Sequence, residues 1–422
     1  MTRLVLLSAL LALPSSAFAQ AAAAPPATFT IAQAIDAMHE GSALLVAADH
    51  REQAAAADVT RAGLWTNPIV SGDYFYGMRV AGEMAQSYDP AGTGVFSIQQ
   101  LLETSDVPGA RARAFREELA AVHEERTAVR IFLELAVRSA CIDLAAAYNA
   151  VDVARDSVAT IEAARRIVDA RVAGGAAARY DAHRIAIAHA EAVALVDQSE
   201  ADVIRARAEL DATVGPLATR LNGRPQIDLD TLPTLPDLAA LRGQLTDLRA
   251  DLRAARARAR EATIAVDVAQ RSVFQGFALR LQTGFGQGPG QFDVGIGVSI
   301  PLPILDYGQG SIPAAQQRAD VARYAADALE YVALVRLEGA HREATQRIEA
   351  ASRFTDSVIM ISADMRGEIE AAYREARVSI LELVDAYVST RDAALERLAL
   401  TRDALQALLQ IERALRVGDL SP

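Results

Sequence analysis

Apolar and polar residues alternate strictly from Gln291 to Ile300: Phe292, Val294, Ile296, Val298 and Ile300 against Gln291, Asp293, Gly295, Gly297 and Ser299. A period of two predicts a β-strand with one apolar face and one small, polar face. Ten such residues suit a strand tilted across a bilayer, and also an edge strand of a soluble β-sandwich. Pro301 and Pro303 end the ladder, because proline has no amide proton to donate. After Gly308 and Gly310 the period becomes that of a helix and stays so for about sixty residues.

The same succession runs through the chain twice. Thr30 can cap a helix that continues to about Leu64 and is stopped by Asn67-Pro68. Residues 69–80 read as a strand with Tyr74, Tyr76, Met78 and Val80 on one face. A loop around Asp89-Pro90-Ala91-Gly92 leads to a weaker strand, Thr93 to Leu101. Pro108-Gly109 opens a helix from about Ala110 to Ala173, roughly 95 Å long at about 1.5 Å per residue. Gly174-Gly175 breaks it, and a helix returns from about Ala177 to Val214.

A proline-containing connector (residues 216–236) follows, and then the plan repeats. A helix runs from Asp237 to Val273, and a strand covers 277–285, with Leu279, Leu281 and Phe285 opposite Ala278, Arg280 and Gln282. The turn Gly286 to Gly290 leads to the strand at 291–300, then to helices from Pro313 to Ala376 and from Ser379 to Val417. The repeats are therefore 29–215 and 237–418, with an offset near 201 residues that maps Gly175 onto Ala376 and Asp181 onto Glu382. Helices of this length need partners along their whole extent, as in coiled coils or helical barrels. Four strands cannot close a barrel, for which about eight is the practical minimum. Either the sheet is soluble or several chains share one barrel, two giving eight strands and three giving twelve.

Composition narrows this picture. The chain has 422 residues, with 51% hydrophobic but only 5% aromatic, which suits close-packed helices better than a globular core. A net charge of −12 argues against a nucleic-acid partner. The N-terminus reads as a secretory signal over residues 1–19, with Arg3, an apolar run from Leu4 to Leu13, and Ala17-Phe18-Ala19 before the cut. An Ala/Pro linker covers residues 20–28, and loss of Arg3 takes the charge from −12 to −13. The single cysteine, Cys141, offers no disulfide framework, and none stands at the cleavage point to carry a lipid. No later run approaches eighteen apolar residues, so an exported chain that meets a membrane does so with strands.

At this point the mature chain resembles a TolC-type outer-membrane efflux protein over essentially its full length. The likeness is strongest at GIGVSIPLPILDYGQGSIPAA (Gly295 to Ala315), which is similar to the strand-to-helix junction of the heavy-metal-efflux branch. It recurs at Tyr373 to Ala386, at Arg171 to Ala182, and at Leu64-Trp65-Thr66-Asn67-Pro68. The resemblance implies a mainly α fold with a small membrane β-barrel: a homotrimer with a twelve-stranded β-barrel and a long periplasmic α-helical barrel. It also implies location in the outer membrane of a Gram-negative bacterium, among outer-membrane lipid. The implied partners are a periplasmic adaptor (membrane fusion) protein and an inner-membrane pump of the resistance-nodulation-division type. One departure is Ala376, where the family usually has a glycine in the second tip turn.

Candidate chemistry is sparse. The glycine-rich Gly284 to Gly290 lacks a following Lys-Ser/Thr and precedes a strand, so it reads as a hairpin turn and not a phosphate loop. His183 and His189 lie six apart and face different ways on a helix, and no catalytic set, metal cage or cofactor motif stands out. Glu382 and Asp385, three apart, share a helix face and read by themselves as a solvated outer stripe. The resemblance assigns them instead to the closed end of the channel. There, three copies form a cation-favouring constriction in which like-charge crowding should raise some pKa values. It likewise assigns Asp181 and Tyr373 to holding neighbouring helices together at the tip, against a reading as a surface aspartate and a packed tyrosine. The turns Gly174-Gly175-Ala176 and Arg377-Val378-Ser379 are the expected adaptor-contacting ends, or plain hairpin connections.

The leading functional expectation is a passive export conduit, with metal cations as one cargo and drug efflux or protein secretion as others. A trimeric coiled-coil stalk without a transport role is the alternative, although sustained heptads and a head domain are missing. An exported enzyme lacks any recognisable catalytic set.

Overall fold

The computed structural model describes residues 27–75, 93–232, 234–285 and 292–418. The expected signal, most of the linker, Tyr76, Met78, Val80, the loop at 89–92 and the turn at 286–290 lie outside these residues. In order, the first repeat forms β1 (Thr28–Phe29), α1 (Ile31–Gly41), α2 (Ala43–Ala62), β2 (Ile69–Phe75), β3 (Thr93–Leu102), α3 (Val107–Ala173) and α4 (Arg179–Val214). A short 3-10 turn (Pro216–Arg220) and β4 (Arg224–Pro225) lead into the second repeat. That repeat forms α5 (Leu238–Leu248), α6 (Ala250–Arg271), β5 (Phe277–Phe285), β6 (Phe292–Ser299), α7 (Ser311–Phe354), α8 (Met360–Arg374) and α9 (Ile380–Arg416).

Each repeat begins with two helices where the periodicity predicts one. Ser42 (ψ 113°) and Arg249 (ψ 107°) adopt extended backbone, and each ends one helix while capping the next. Ser42 does so with its hydroxyl, which accepts the Leu45 amide at 3.4 Å. Arg249 makes no side-chain cap; its fully buried guanidinium instead forms a clasp, donating to Asp251 at 2.8 and 3.1 Å and to the Ala414 carbonyl at 2.7 Å. The long helix expected from Pro313 to Ala376 is also divided, by a π turn at Thr355–Ile359. Its counterpart α3 runs unbroken for 67 residues.

The helices pack side by side around α3, which touches α2, α4, α6 and α9. Small residues face these contacts, with Ala121, Ala128, Ala140, Ala154 and Ala164 all buried on α3, so the axes come close. Cys141 belongs to the core formed with α1, and burial pushes its thiol up to about 12. The connector packs back by β4 pairing with β1 in parallel, and Arg224 stacks 4.8 Å over Tyr148 while pairing with Asp152. Helix α6 lies between α3 and α7, zipped to the first by Arg253–Glu124 (2.6 Å) and Arg260–Glu117 (2.8 Å) and to the second by Arg256–Glu330 (2.8 Å). Its repeat counterpart α2 packs on α3. The outer face of α7 leaves Val321, Tyr324, Tyr331 and Val335 exposed at helical spacing.

The four longer strands form one antiparallel sheet in the order β2-β3-β5-β6, with β2 and β6 as its edges. Register aligns Val70, Ile98, Leu281 and Ile296 in a single row across all four strands, and every member is exposed. Parallel rows on that face contain Tyr74, Phe285 and Phe292, and Leu279 with Val298. The opposite face is mostly small and polar: Ser71, Ser97, Gln282 and Gly295 form one row, with the Ser71 and Ser97 hydroxyls 2.9 Å apart. Among the described residues no helix is long and apolar enough to cross a membrane.

Candidate functional site: the paired helix tips

The end of the molecule far from the sheet holds two helix hairpins, α3–α4 and α8–α9, packed on a shared apolar cluster. Ile161, Val168, Ile185, Tyr373, Ile380, Leu383 and Tyr387 are among its buried members. Both hairpins turn in the same way. In the first, the Ala176 amide donates to the Arg171 carbonyl (2.8 Å) and the Gly175 amide to Val172 (3.0 Å), with Gly175 at φ +73°. In the second, the Arg377 amide donates to Ala372 (2.9 Å) and the Ala376 amide to Tyr373 (3.0 Å), with Ala376 at φ +58°. This is the left-handed C-terminal motif usually closed by glycine. Ala376 therefore adopts the glycine geometry without a glycine.

Of the six residues expected at the turns, Gly174, Gly175, Ala176, Arg377 and Ser379 are exposed. Val378 packs on the tip cluster, and Ser379 is engaged as a cap.

Glu382 and Asp385 are both exposed near the start of α9. Glu382 serves its own helix. Its Oε2 accepts from the Ser379 amide (2.7 Å) and hydroxyl (2.8 Å), while the Glu382 amide donates back to the Ser379 hydroxyl (3.4 Å). That capping box satisfies amides that the helix leaves open. The backbone hydrogen bond from Ser379, then the hydroxyl one, holds the Glu382 carboxyl below its ordinary value of 4.5. Within one chain, the shift is thus opposite to the rise expected from carboxylate crowding, because local donors favour the charged form.

Asp181 takes the matching place at the start of α4, but the cap position there is Ala178, which has no side-chain oxygen. Freed from capping, Asp181 accepts from the Tyr373 hydroxyl at 3.5 Å, a long contact linking the two hairpins. Tyr373 itself is 3% exposed, and its phenol is raised above 10.0, chiefly by burial and then by the Asp181 charge. The sequence reading missed the third member, Arg171. Its guanidinium lies 4.6 Å from the Tyr373 ring centroid and donates to the Tyr373 carbonyl and, at 3.3 Å, to the Ala176 carbonyl. The available signal was a basic residue in the last turn of a helix, where it can reach free carbonyls.

Among the described residues no group of three or more His, Cys, Asp or Glu is disposed to hold a metal ion.

No protein-family model and no curated sequence matches the chain. Solved structures do. CusC, which undergoes conformational changes accompanying folding and transmembrane channel formation, matches with a TM-score of 0.73 at 15% identity, over 92% of this chain and 92% of its own. The outer-membrane channel OprN matches at 0.73 and 20% identity, over 92% and 90%. The outer membrane protein VceC from Vibrio cholerae matches at 0.71 and 19% identity, over 92% and 96%. The chain thus has the fold of an outer-membrane channel protomer of the TolC type, and at these identities the likeness is one of fold.

Proposed function

We propose that this protein is the outer-membrane channel subunit of a tripartite efflux system, passively conducting substrate from periplasm to exterior as a homotrimer. The observation that carries this reading is the sheet: four strands, two open edges, and one face of exposed apolar rows. Open edges leave backbone groups unsatisfied, which lipid does not tolerate, so neighbouring copies must complete a barrel. Three copies give twelve strands, with β6 of one beside β2 of the next. The same operation brings the exposed stripe on α7 toward the α2 of the adjacent copy, a head-to-tail contact that closes into a ring.

In this reading the tips meet a periplasmic adaptor, and through it an inner-membrane pump of the resistance-nodulation-division type. Gly174, Gly175, Ala176, Arg377 and Ser379 are the accessible contacts, with Val378 packed behind the second turn. Glu382 and Asp385 form the cation-favouring constriction, and Asp181 with Tyr373 stabilises the gate. Metal cations are the favoured cargo, on the resemblance at Gly295 to Ala315 and the acidic constriction.

Membrane fractionation and mass measurement of the full chain test the assembly. The expected result is a trimer in the outer-membrane fraction, released only by detergent, that conducts ions in planar bilayers. A detergent-free soluble monomer with native circular dichroism overturns it. Growth of a deletion strain across metals, drugs and detergents identifies the cargo.

A further inference from the structure

We infer that Arg171 is the positioning residue that couples the two tip hairpins, one guanidinium closing both turns and holding Tyr373 in place. This rests on the proposed gate at the tips. The geometry is independent of that proposal: a single side chain on the last turn of α3 reaches a carbonyl beyond its own turn, Ala176, and one at the end of α8, Tyr373. Both acceptors lie at helix C-terminal ends, where carbonyls lack intrahelical partners and a cation is favoured. The Tyr373 carbonyl also accepts the Ala376 amide at 3.0 Å, so its two lone pairs are divided between its own turn and the opposite hairpin. Stacking of the planar cation on the Tyr373 ring at 4.6 Å adds a second contact to the same residue.

The duplication shows that this clasp is one-sided. At the offset of the tip turns, Arg171 corresponds to Ala372 and Tyr373 to Val172. Neither repeat holds both halves of the contact, so it forms only between the hairpins and cannot form within one. A planar fork is needed, because two carbonyls and a ring must be met from one position; a lysine ammonium is a point charge with no face to stack. Separation of the hairpins must break both contacts to Tyr373 together, which makes Arg171 a latch on relative motion of the tips.

Peptide-level hydrogen exchange on the full chain in detergent tests this, with single-channel conductance measured in parallel. Arg171→Ala is expected to speed exchange severalfold in residues 174–178 and also in 374–379, with the body of α3 unchanged. Arg171→Lys should fail to restore protection in 374–379. Tyr373→Ala should speed exchange in 174–178, and the double substitution should add little to either single one. Unchanged exchange at 374–379 in Arg171→Ala, or protection by lysine equal to arginine, overturns the inference. Faster exchange in both segments with unaltered conductance retains the latch and removes the gate.

Discussion

Asp181 and Glu382 occupy the same place, the third residue of the helix that follows each tip turn, yet they turn to different partners. Glu382 bonds back to Ser379 and closes a capping box, whereas Asp181, with Ala178 at its cap, accepts from Tyr373 in the other hairpin. One serine hydroxyl decides between local and tertiary use of a carboxylate. Ser379→Ala should therefore destabilise the start of α9 by about 1 kcal/mol, the usual cost of losing a serine cap. It should also move the Glu382 titration, followed by carboxyl NMR or infrared spectroscopy, up toward 4.5.

The sign of the pH dependence follows from the lowered folded value. The contribution of Glu382 is complete above its ordinary value of 4.5 and fades as pH falls through the lower folded one. Acid fraying of the first turn of α9 should accordingly begin below pH 4.5 in the wild-type chain and be smaller in Ser379→Ala, which loses the hydroxyl but keeps the amide that donates to Glu382.

If Glu382 and Asp385 line the constriction, Glu382→Gln with Asp385→Asn should weaken cation preference in bilayer recordings and relieve block by multivalent cations. Glutamine also closes a capping box, so α9 should keep its helicity and the change isolates charge from fold. Unchanged reversal potential would place both side chains on the outer surface.

Gly175 and Ala376 share a left-handed turn, at φ +73° and +58°. A Cβ in that region costs about 1–2 kcal/mol, which glycine avoids. Ala376→Gly should slow local opening of the second tip turn by an amount in that range, and Gly175→Ala should speed opening of the first. Nothing lies within 4 Å of a Cβ built on Gly175, so backbone conformation and not crowding decides the outcome.

The strands and the long helices could be read in the sequence because each depends on local periodicity. Tip chemistry was legible in part. Ser379-x-x-Glu382 is a capping-box motif in plain view, and its absence at Ala178-x-x-Asp181 could have told the two carboxylates apart. The break at Ser42 follows Gly41, a legible stop-and-cap pair, but the break at Arg249 carries no local signal. It coincides with a buried guanidinium that clasps Ala414, which lies 165 residues away. Arg171 escaped for the same reason, since its partner Tyr373 is 202 residues distant and a terminal arginine suits any helix. The π turn at Thr355–Ile359 has neither glycine nor proline to announce it.

The sheet offers the sharpest test of which face meets lipid. Ile296 is 78% exposed and ends the row that begins at Val70 and passes through Ile98 and Leu281. Gly297, its neighbour, belongs to the opposite face beside Arg280, and a Cβ there meets only the Arg280 Cβ at 3.8 Å, an ordinary contact. Arginine near the midplane of a membrane barrel costs about 2–4 kcal/mol, and a trimer repeats that cost three times. Ile296→Arg should therefore reduce the detergent-extracted trimer on the order of tenfold or more. Gly297→Ser, projecting into a small polar face, should assemble like the wild type. The quantity to measure is the trimer recovered from outer membranes by native mass spectrometry, against total chain. Equal recovery of the two variants would mean that the exposed apolar rows face something other than lipid, and the shared barrel would lose its support.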